Sequence, residues 1–424
     1  MRLMQSSSPQ ALEPYRVLDL THAIGWTCGK LLADLGADVI KIEPPGGDRD
    51  RRLGPFYHDA PHPERSLLWF AAHTNKRGIT LNVDSADGQA LWLELVRSAD
   101  FILESYPPGF LEQRGIGFQQ VSERNPCLIW TSITPFGHSG PYASFRASDL
   151  VGMAMGGLMS MCGDADRPPV RLRPSQAYLQ AGLQAAVATL LAHHYRLRSG
   201  VGQFIDVSMQ HAVSWTIIPT RQYWDLNRLI VERGGTSRAF GDQLRRILFP
   251  CQDGHVAVMG VINAREWGPM VEWLASEGMA EDLTHASWAI LAEYAGPDLL
   301  TQAALTDEEL AHVYSVLGRF FLKHTKAELA EEAQRRRIIV FPVHTAGDLL
   351  EHPQLIARNF FQPLEHPELD EALCYSGAPY QLSQTPWRLR RRAPLIGEHN
   401  EAIYSGELGL SRAELAVLMA AGAI

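Results

Sequence analysis

Lys76 and Arg77 lie just ahead of the apolar run Ile79-Thr80-Leu81 and put two cations at the entrance of a candidate strand. Ammonium and guanidinium groups suit phosphate oxygens, and arginine can grip them in pairs. From these residues alone a solvated loop pair is the plainer reading, whereas for Arg51 and Arg52 phosphate and solvent stand even. Glu43 closes another apolar run, a place where an acid can hold a nucleotide ribose. No GxGxxG precedes it, so an end-of-strand ion pair is the plainer role. His22 follows the first apolar run and would face a crevice there, although a lone histidine is more often structural. Asp149 heads an apolar helical pattern, where an acid caps backbone N–H groups; Asp164 and Asp166 fall in a loop and read as solvated. The chain has 16 His and 5 Cys without HExxH or CxxC spacing, so no metal site is expected. Cys28, Cys127, Cys162, Cys251 and Cys374 are odd in number and scattered, which points to reduced thiols in the cytoplasm.

These groups need elements to hold them. In Arg16–Arg52, Val17, Leu18 and Leu20 form a strand-length apolar run. Cys28, Leu31, Leu32 and Leu35 recur at the spacing of one helix face, and Gly36 stops that helix. Val39, Ile40 and Ile42 open a second strand, ended by Pro44-Pro45-Gly46-Gly47. Strand, helix and strand with short links imply a βαβ unit and a parallel sheet, with ligands at the carboxyl ends of its strands. The pattern repeats: helix 86–98, strand 101–103, helix 118–125, strand 127–132, an apolar helix 149–161, an alanine-rich helix 176–196, strand 203–207 and helix 208–218. Arg221–Gly241 is charged and weakly periodic, as a crossing linker is. A smaller α/β segment follows, with strand 255–261, helices 267–276 and 308–321, and strand 338–343.

Composition narrows the partners. With 424 residues, 46% hydrophobic and 20% charged, the chain reads as a soluble two-domain protein. A net charge of -9 argues against nucleic acid, and the greasiest segment, Leu183–Ala192, is too short to span a membrane. Residues 1–14 read as a loose leader without a secretory hydrophobic core.

The order of blocks RVLDLTHAIGWTCGKLLADLGADVIKIEPPGGDRDR, NKRGITLNV, GFLEQRGIGF, NPCLIWTSITPFGHSGPY, ASDLVGMAMGGLMSMCG, GQFIDVSMQHAV, DGHVAV, HPQLIARNFF and APLIGEHNEAI resembles the family III CoA-transferases over nearly the whole chain. That group includes formyl-CoA and carnitine CoA-transferases and α-methylacyl-CoA racemases. The resemblance implies a Rossmann-like large domain built from both chain ends, with a smaller α/β domain inserted, and an interlinked homodimer. The corresponding boundaries are 14–220 for the first part of the large domain, 221–244 for a linker, 245–330 for the small domain and 331–424 for the return. It also implies coenzyme A as substrate and product, with an acyl-CoA and a carboxylic acid as partners. Asn75, Lys76, Arg77, Ser105, Tyr106 and Arg114 fall at or beside the family's CoA-contacting positions, and His22, Ser148 and Asp149 are candidates for the substrate pocket.

One departure is decisive. In the family, an aspartate near the start of the long helix attacks the thioester and cycles through an anhydride and an aspartyl-CoA thioester. At that position this chain has Tyr178, whose phenol, with a pKa of about 10, is protonated at neutral pH and cannot form an anhydride. The racemase branch needs the same aspartate and a histidine where Ser148 stands. Three readings follow: CoA transfer by an atypical mechanism; an isomerase, hydratase or lyase acting on an acyl-CoA with Tyr178 as acid; and a non-catalytic CoA-binding subunit of a hetero-oligomer.

Overall fold

Six strands form one parallel sheet: β1 (Arg16–Leu20), β2 (Asp38–Glu43), β3 (Arg77–Thr80), β4 (Phe101–Glu104), β5 (Ile129–Thr134) and β6 (Gln203–Ser208). Its order is β3-β2-β1-β4-β5-β6, so the chain reverses direction across the sheet between β1 and β4. The structure is a computed structural model, and it describes residues 9–240, 243–259, 265–288 and 305–424. The first eight residues of the expected leader, Gly241, the last two positions of the expected strand 255–261 and the stretch 289–304 lie outside the described residues.

The helices up to residue 227 are α1 (Trp26–Asp34), α2 (Leu67–Ala72), α3 (Ala86–Arg97), α4 (Phe118–Ser122), α5 (Asp149–Met155), α6 (Gln176–Ser199), α7 (Met209–Trp215) and α8 (Ile218–Asn227). Successive strand residues face opposite sides. Val17, Val39, Phe101, Leu103 and Ile129 pack toward α1 and α6. Leu18, Ile40, Ile79, Ile102 and Trp130 pack toward α3, α4 and the last part of the chain, where Ile403 and Tyr404 are fully buried. Burial on both faces is why these strands read as continuous apolar runs. Two pieces of the sequence expectation change. The helix expected over 149–161 ends at Met155, because Gly157 takes a left-handed φ of 88°. The expected linker after residue 221 begins inside helix α8, which carries Pro219 in its first turn and buries no residue, so no periodicity marks it.

Contacts divide the chain into two units. One comprises the chain up to Met159, Arg171–Ile230 and Pro353–Ile424. The other comprises Ser160–Val170 and Val231–His352. In the first unit the returning segment seals the β3 edge: Tyr404 Oη donates to Thr80 O (2.7 Å), and Thr80 N donates to Asn400 Oδ1 (2.9 Å). In the second, Leu248–Cys251, Gly254–Val258 and Val340–Pro342 form an antiparallel sheet against helices Trp267–Ser276, Asp307–Phe321 and Lys326–Arg336. Trp267, Met270, Val313 and Phe320 form its core. Ser160–Val170 belongs to that unit because Arg233 Nε and NH2 donate to the Arg167 carbonyl and Gly235 N donates to Gly163 O.

Candidate functional site

The loops after β1, β2 and β4 meet where the sheet order reverses, the place where open α/β sheets hold ligands. His22 N donates to Ser105 Oγ (2.8 Å), and its ring meets Tyr106 edge-on, with centroids 5.7 Å apart. On the other side His22 Nδ1 lies 3.2 Å from Asp48 Oδ2. Asp48 accepts from Asp50 N and caps the short turn Arg49–Arg52, and Asp50 Oδ2 accepts from Ala23 N at 2.8 Å. Lys41, fully buried, donates to Thr21 O and sits 3.7 Å from Asp48. Burial alone would raise the Asp48 carboxyl; the His22 hydrogen bond and Lys41 outweigh it and hold the group well below the usual carboxylate range. His22, Asp48 and Asp50 bring ligand atoms within 4.8 Å of one another, a spacing that could hold a metal ion. The Lys41 ammonium and the backbone donors already serve those acids. Beside the crevice, at the ends of β2 and β3, a hollow of about 670 Å³ is lined by residues including Pro45, Gly46, Thr80, Ile396, Arg412 and Met419.

Of the six residues expected at CoA, two face this crevice: Ser105 and Tyr106. Tyr106 already has Phe110 stacked on one ring face at 4.4 Å, so at most one face is left for a base. The other four are committed elsewhere. Asn75, at φ 65°, donates to Asp34 Oδ1 and accepts from the backbone N–H groups of Arg390 and Arg391, which clasps the returning segment. Lys76 is fully buried, with its ammonium 2.8 Å from Asp19 Oδ2 and 3.1 Å from His73 Nδ1. Arg77 forms ion pairs with Asp38 and Glu407, and Arg114 with Asp84, its guanidinium 3.5 Å from the centre of the Phe110 ring. Glu43 and Arg51 form a buried two-pronged ion pair, at 2.6 and 2.8 Å, beneath the loop. Arg49, whose side chain is 77% exposed and lies 3.6 Å from Asp50 Oδ1, is an exposed cation at this edge, as is Arg52.

Tyr178 sits in the first turn of α6, which presses on the start of α1: a Cβ on Gly182 would meet Thr27 at 2.6 Å. Asp149 does not cap its own helix. Its Oδ1 accepts from Ala177 N (2.8 Å) and Tyr178 N (3.2 Å), so it caps α6, and the buried Oδ2 has no hydrogen-bond partner. Ser148 is the residue before α5 and makes no side-chain cap. Burial, then the Asp149 and Asp50 charges, push the Tyr178 phenol above its ordinary value, against a backbone hydrogen bond from Asp149 and the Arg49 charge. A neutral phenol thus stands at the head of α6, and the carboxylate next to it, Asp149, is 4% exposed.

One group escaped the sequence reading. Glu104, at the end of β4, is buried and accepts from Tyr106 N at 2.7 Å. Burial pushes its carboxyl up to about 7, against hydrogen bonds from Ser132 and Tyr106 N. Ser132 Oγ in turn lies 2.6 Å from His138 Nε2. The only signal was positional: like Glu43, Glu104 is an acid closing a buried strand.

Comparison with known proteins gives concordant results. The model of CoA-transferase family III matches residues 12–400. The subunit BbsE of succinyl-CoA:(R)-benzylsuccinate CoA-transferase from Thauera aromatica is 35% identical over 421 residues, covering 98% of both chains. Formyl-CoA:oxalate CoA-transferase from Streptomyces coelicolor is 32% identical, covering 98% of this chain and 99% of that one. A solved CAIB/BAIF family protein from Brucella suis superposes with a TM-score of 0.81 at 26% identity, over 94% of this chain and 99% of its own.

Proposed function

The chain belongs to CoA-transferase family III, and from that premise we propose that it is the CoA-binding subunit of a CoA-transferase whose nucleophilic carboxylate comes from a homologous partner chain. The observation that carries this reading is Tyr178 at the head of α6, with Asp149 buried as the cap beneath it. Forming an acyl anhydride requires an accessible carboxylate, and this helix start offers a protonated phenol. A similar protein is named as a subunit of a benzylsuccinate CoA-transferase, which agrees with a divided enzyme. In this reading CoA lies at the switch-point crevice against Ser105 and Tyr106, with Arg49 as the ready phosphate cation. Arg77 and Arg114 would first have to release their carboxylate partners.

The test is label exchange between acyl-CoA esters and free carboxylic acids, followed by mass spectrometry. The chain alone is expected to bind CoA without exchange, and co-expression with a homologue that has aspartate at this position is expected to restore it. Exchange by the purified chain alone would sink the subunit reading in favour of an atypical mechanism. Conversion of one CoA ester without an acceptor would instead place Tyr178 as an acid in an isomerase or lyase.

A further inference from the structure

The loop after β4 carries both Ser105, which holds the His22 amide, and Tyr106, which walls the crevice. What holds that loop from below is Glu104. Its Oε2 accepts the Tyr106 N–H, while Ser132, its register partner on β5, lies beside it with Oγ 2.6 Å from Nε2 of the part-exposed His138. We propose that Glu104 is a positioning residue for the crevice, and that Glu104, Ser132 and His138 form a proton relay from the buried end of β4 to the surface.

The relay balances without any outside reagent. With Glu104 protonated, its O–H donates to Ser132 Oγ, and the Ser132 hydroxyl donates to a neutral His138 Nε2. On transfer, the Glu104 O–H bond breaks, Ser132 Oγ takes that proton, and its own proton passes to His138 Nε2. A carboxylate and an imidazolium result. The imidazolium then loses its proton to solvent, so His138 is the exit. In the ionised state the Tyr106 N–H donates to a charged oxygen and the loop is held tightly; in the neutral state that bond weakens. The midpoint near neutrality follows from burial opposed by the Ser132 and Tyr106 donors. Other charged and titratable groups also bear on the relay. Glu112 faces Glu104 from the following turn. Asp48, Asp84 and Arg114 act on Tyr106, and Asp206 on β6 accepts the His138 backbone N–H.

This inference rests on the crevice being the CoA site only for its effect on affinity, so the experiment has two separate arms. The first needs no ligand: infrared spectra record the carbonyl band of a buried carboxylic acid, and NMR follows the Tyr106 amide and the His138 ring between pH 5.5 and 8.5. In wild type the acid band should fade as the Tyr106 amide shifts, with one midpoint near neutrality. Glu104→Gln should abolish both changes, and in Ser132→Ala the acid band should remain while the His138 ring signals no longer move with it. A Tyr106 shift that persists in Glu104→Gln, or His138 ring signals that follow the acid band equally in wild type and Ser132→Ala, would overturn the relay. The second arm measures CoA affinity across the same range. Wild type should tighten about five-fold as pH rises, the size expected from placing a charge behind one hydrogen bond, and Glu104→Gln should be flat. Equal pH dependence in both would overturn the positioning role. If CoA fails to bind at any pH while the first arm behaves as stated, the CoA reading fails and the relay stands.

Discussion

Replacing Lys76 with methionine separates an interior ion pair from a phosphate contact. The Lys76 ammonium is fully buried, 2.8 Å from Asp19 Oδ2, while Asp19 Oδ1 accepts from Thr21 N and Thr21 Oγ1. Methionine fills the volume but leaves Asp19 charged in a dry interior, with only Lys41 nearby to offset it. Removing one partner of a buried pair costs about 3–5 kcal/mol, a large share of the roughly 5–15 kcal/mol that holds a domain together. Urea unfolding of the large unit at pH 7 should show that loss. The pH dependence supplies a second check. In wild type, burial would raise the Asp19 carboxyl, but Lys76, Lys41 and the hydrogen bonds bring it below its ordinary value. Its contribution is therefore present above about pH 4 and lost as pH falls below that. In Lys76→Met, burial is less opposed, the folded-state pKa rises and stability declines as pH increases. The gap between the two proteins should widen from pH 5 to pH 8. CoA affinity of the folded variant should be unchanged. A drop in affinity of about ten-fold or more at unaltered stability would refute this account and return Lys76 to the phosphates.

Three further perturbations have stated outcomes. Tyr178→Asp restores a carboxylate at the head of α6; the chain alone should gain label exchange, at a packing cost of about 1–3 kcal/mol in urea unfolding. If the variant binds CoA and shows no exchange, more than the nucleophile is missing. Glu104→Gln should be pH-dependent in its effect on stability. The folded carboxyl is raised from 4.5 to about 7, so wild type loses stability as pH rises through that window, by about 3 kcal/mol in all. The variant should gain on wild type between pH 4.5 and 7 and hold that gain above it, and a pH-independent difference in unfolding midpoint would contradict the assigned shift. Gly182→Ala gains up to about 1 kcal/mol of helix propensity but drives a Cβ within 2.6 Å of Thr27 and 3.2 Å of the Cys28 backbone nitrogen. Net destabilisation of about 1–2 kcal/mol is expected, and a more stable variant would show that α1 and α6 have room to part.

The sheet was legible because β1, β2 and β4 are buried on both faces, and runs such as Val17-Leu18 and Phe101-Ile102-Leu103 have no other use. The hairpin Phe361–His366 with Glu371–Ser376 was not, since its strands bury only one residue each and their residues alternate weakly. Among site residues, His22 was placed by its position after a strand, and Ser105 and Tyr106 by the family resemblance. The side-chain direction of Lys76 was invisible. A lysine before a strand reads as solvated or ligand-facing, and only the fold discloses Asp19 beneath it, 57 positions away in the chain. Glu104 was missed for a related reason: nothing local distinguishes a strand-end acid that finds an arginine, as Glu43 does, from one left without a cation.

The seal on the β3 edge has a consequence for biosynthesis. Tyr404 and Thr80 are hydrogen-bonded across 324 positions of sequence, so the ribosome has long since released β3 when its cover emerges. Throughout that interval Ile79, Trp92 and Ile102 lack the side chains that later shield them, while the inserted residues 231–352, all translated in between, have their own core to collapse around. Translation therefore delivers the small unit complete before the large one can close. A chain stalled before Tyr404 should be a client for chaperones that bind apolar surface, and one released just past it should not.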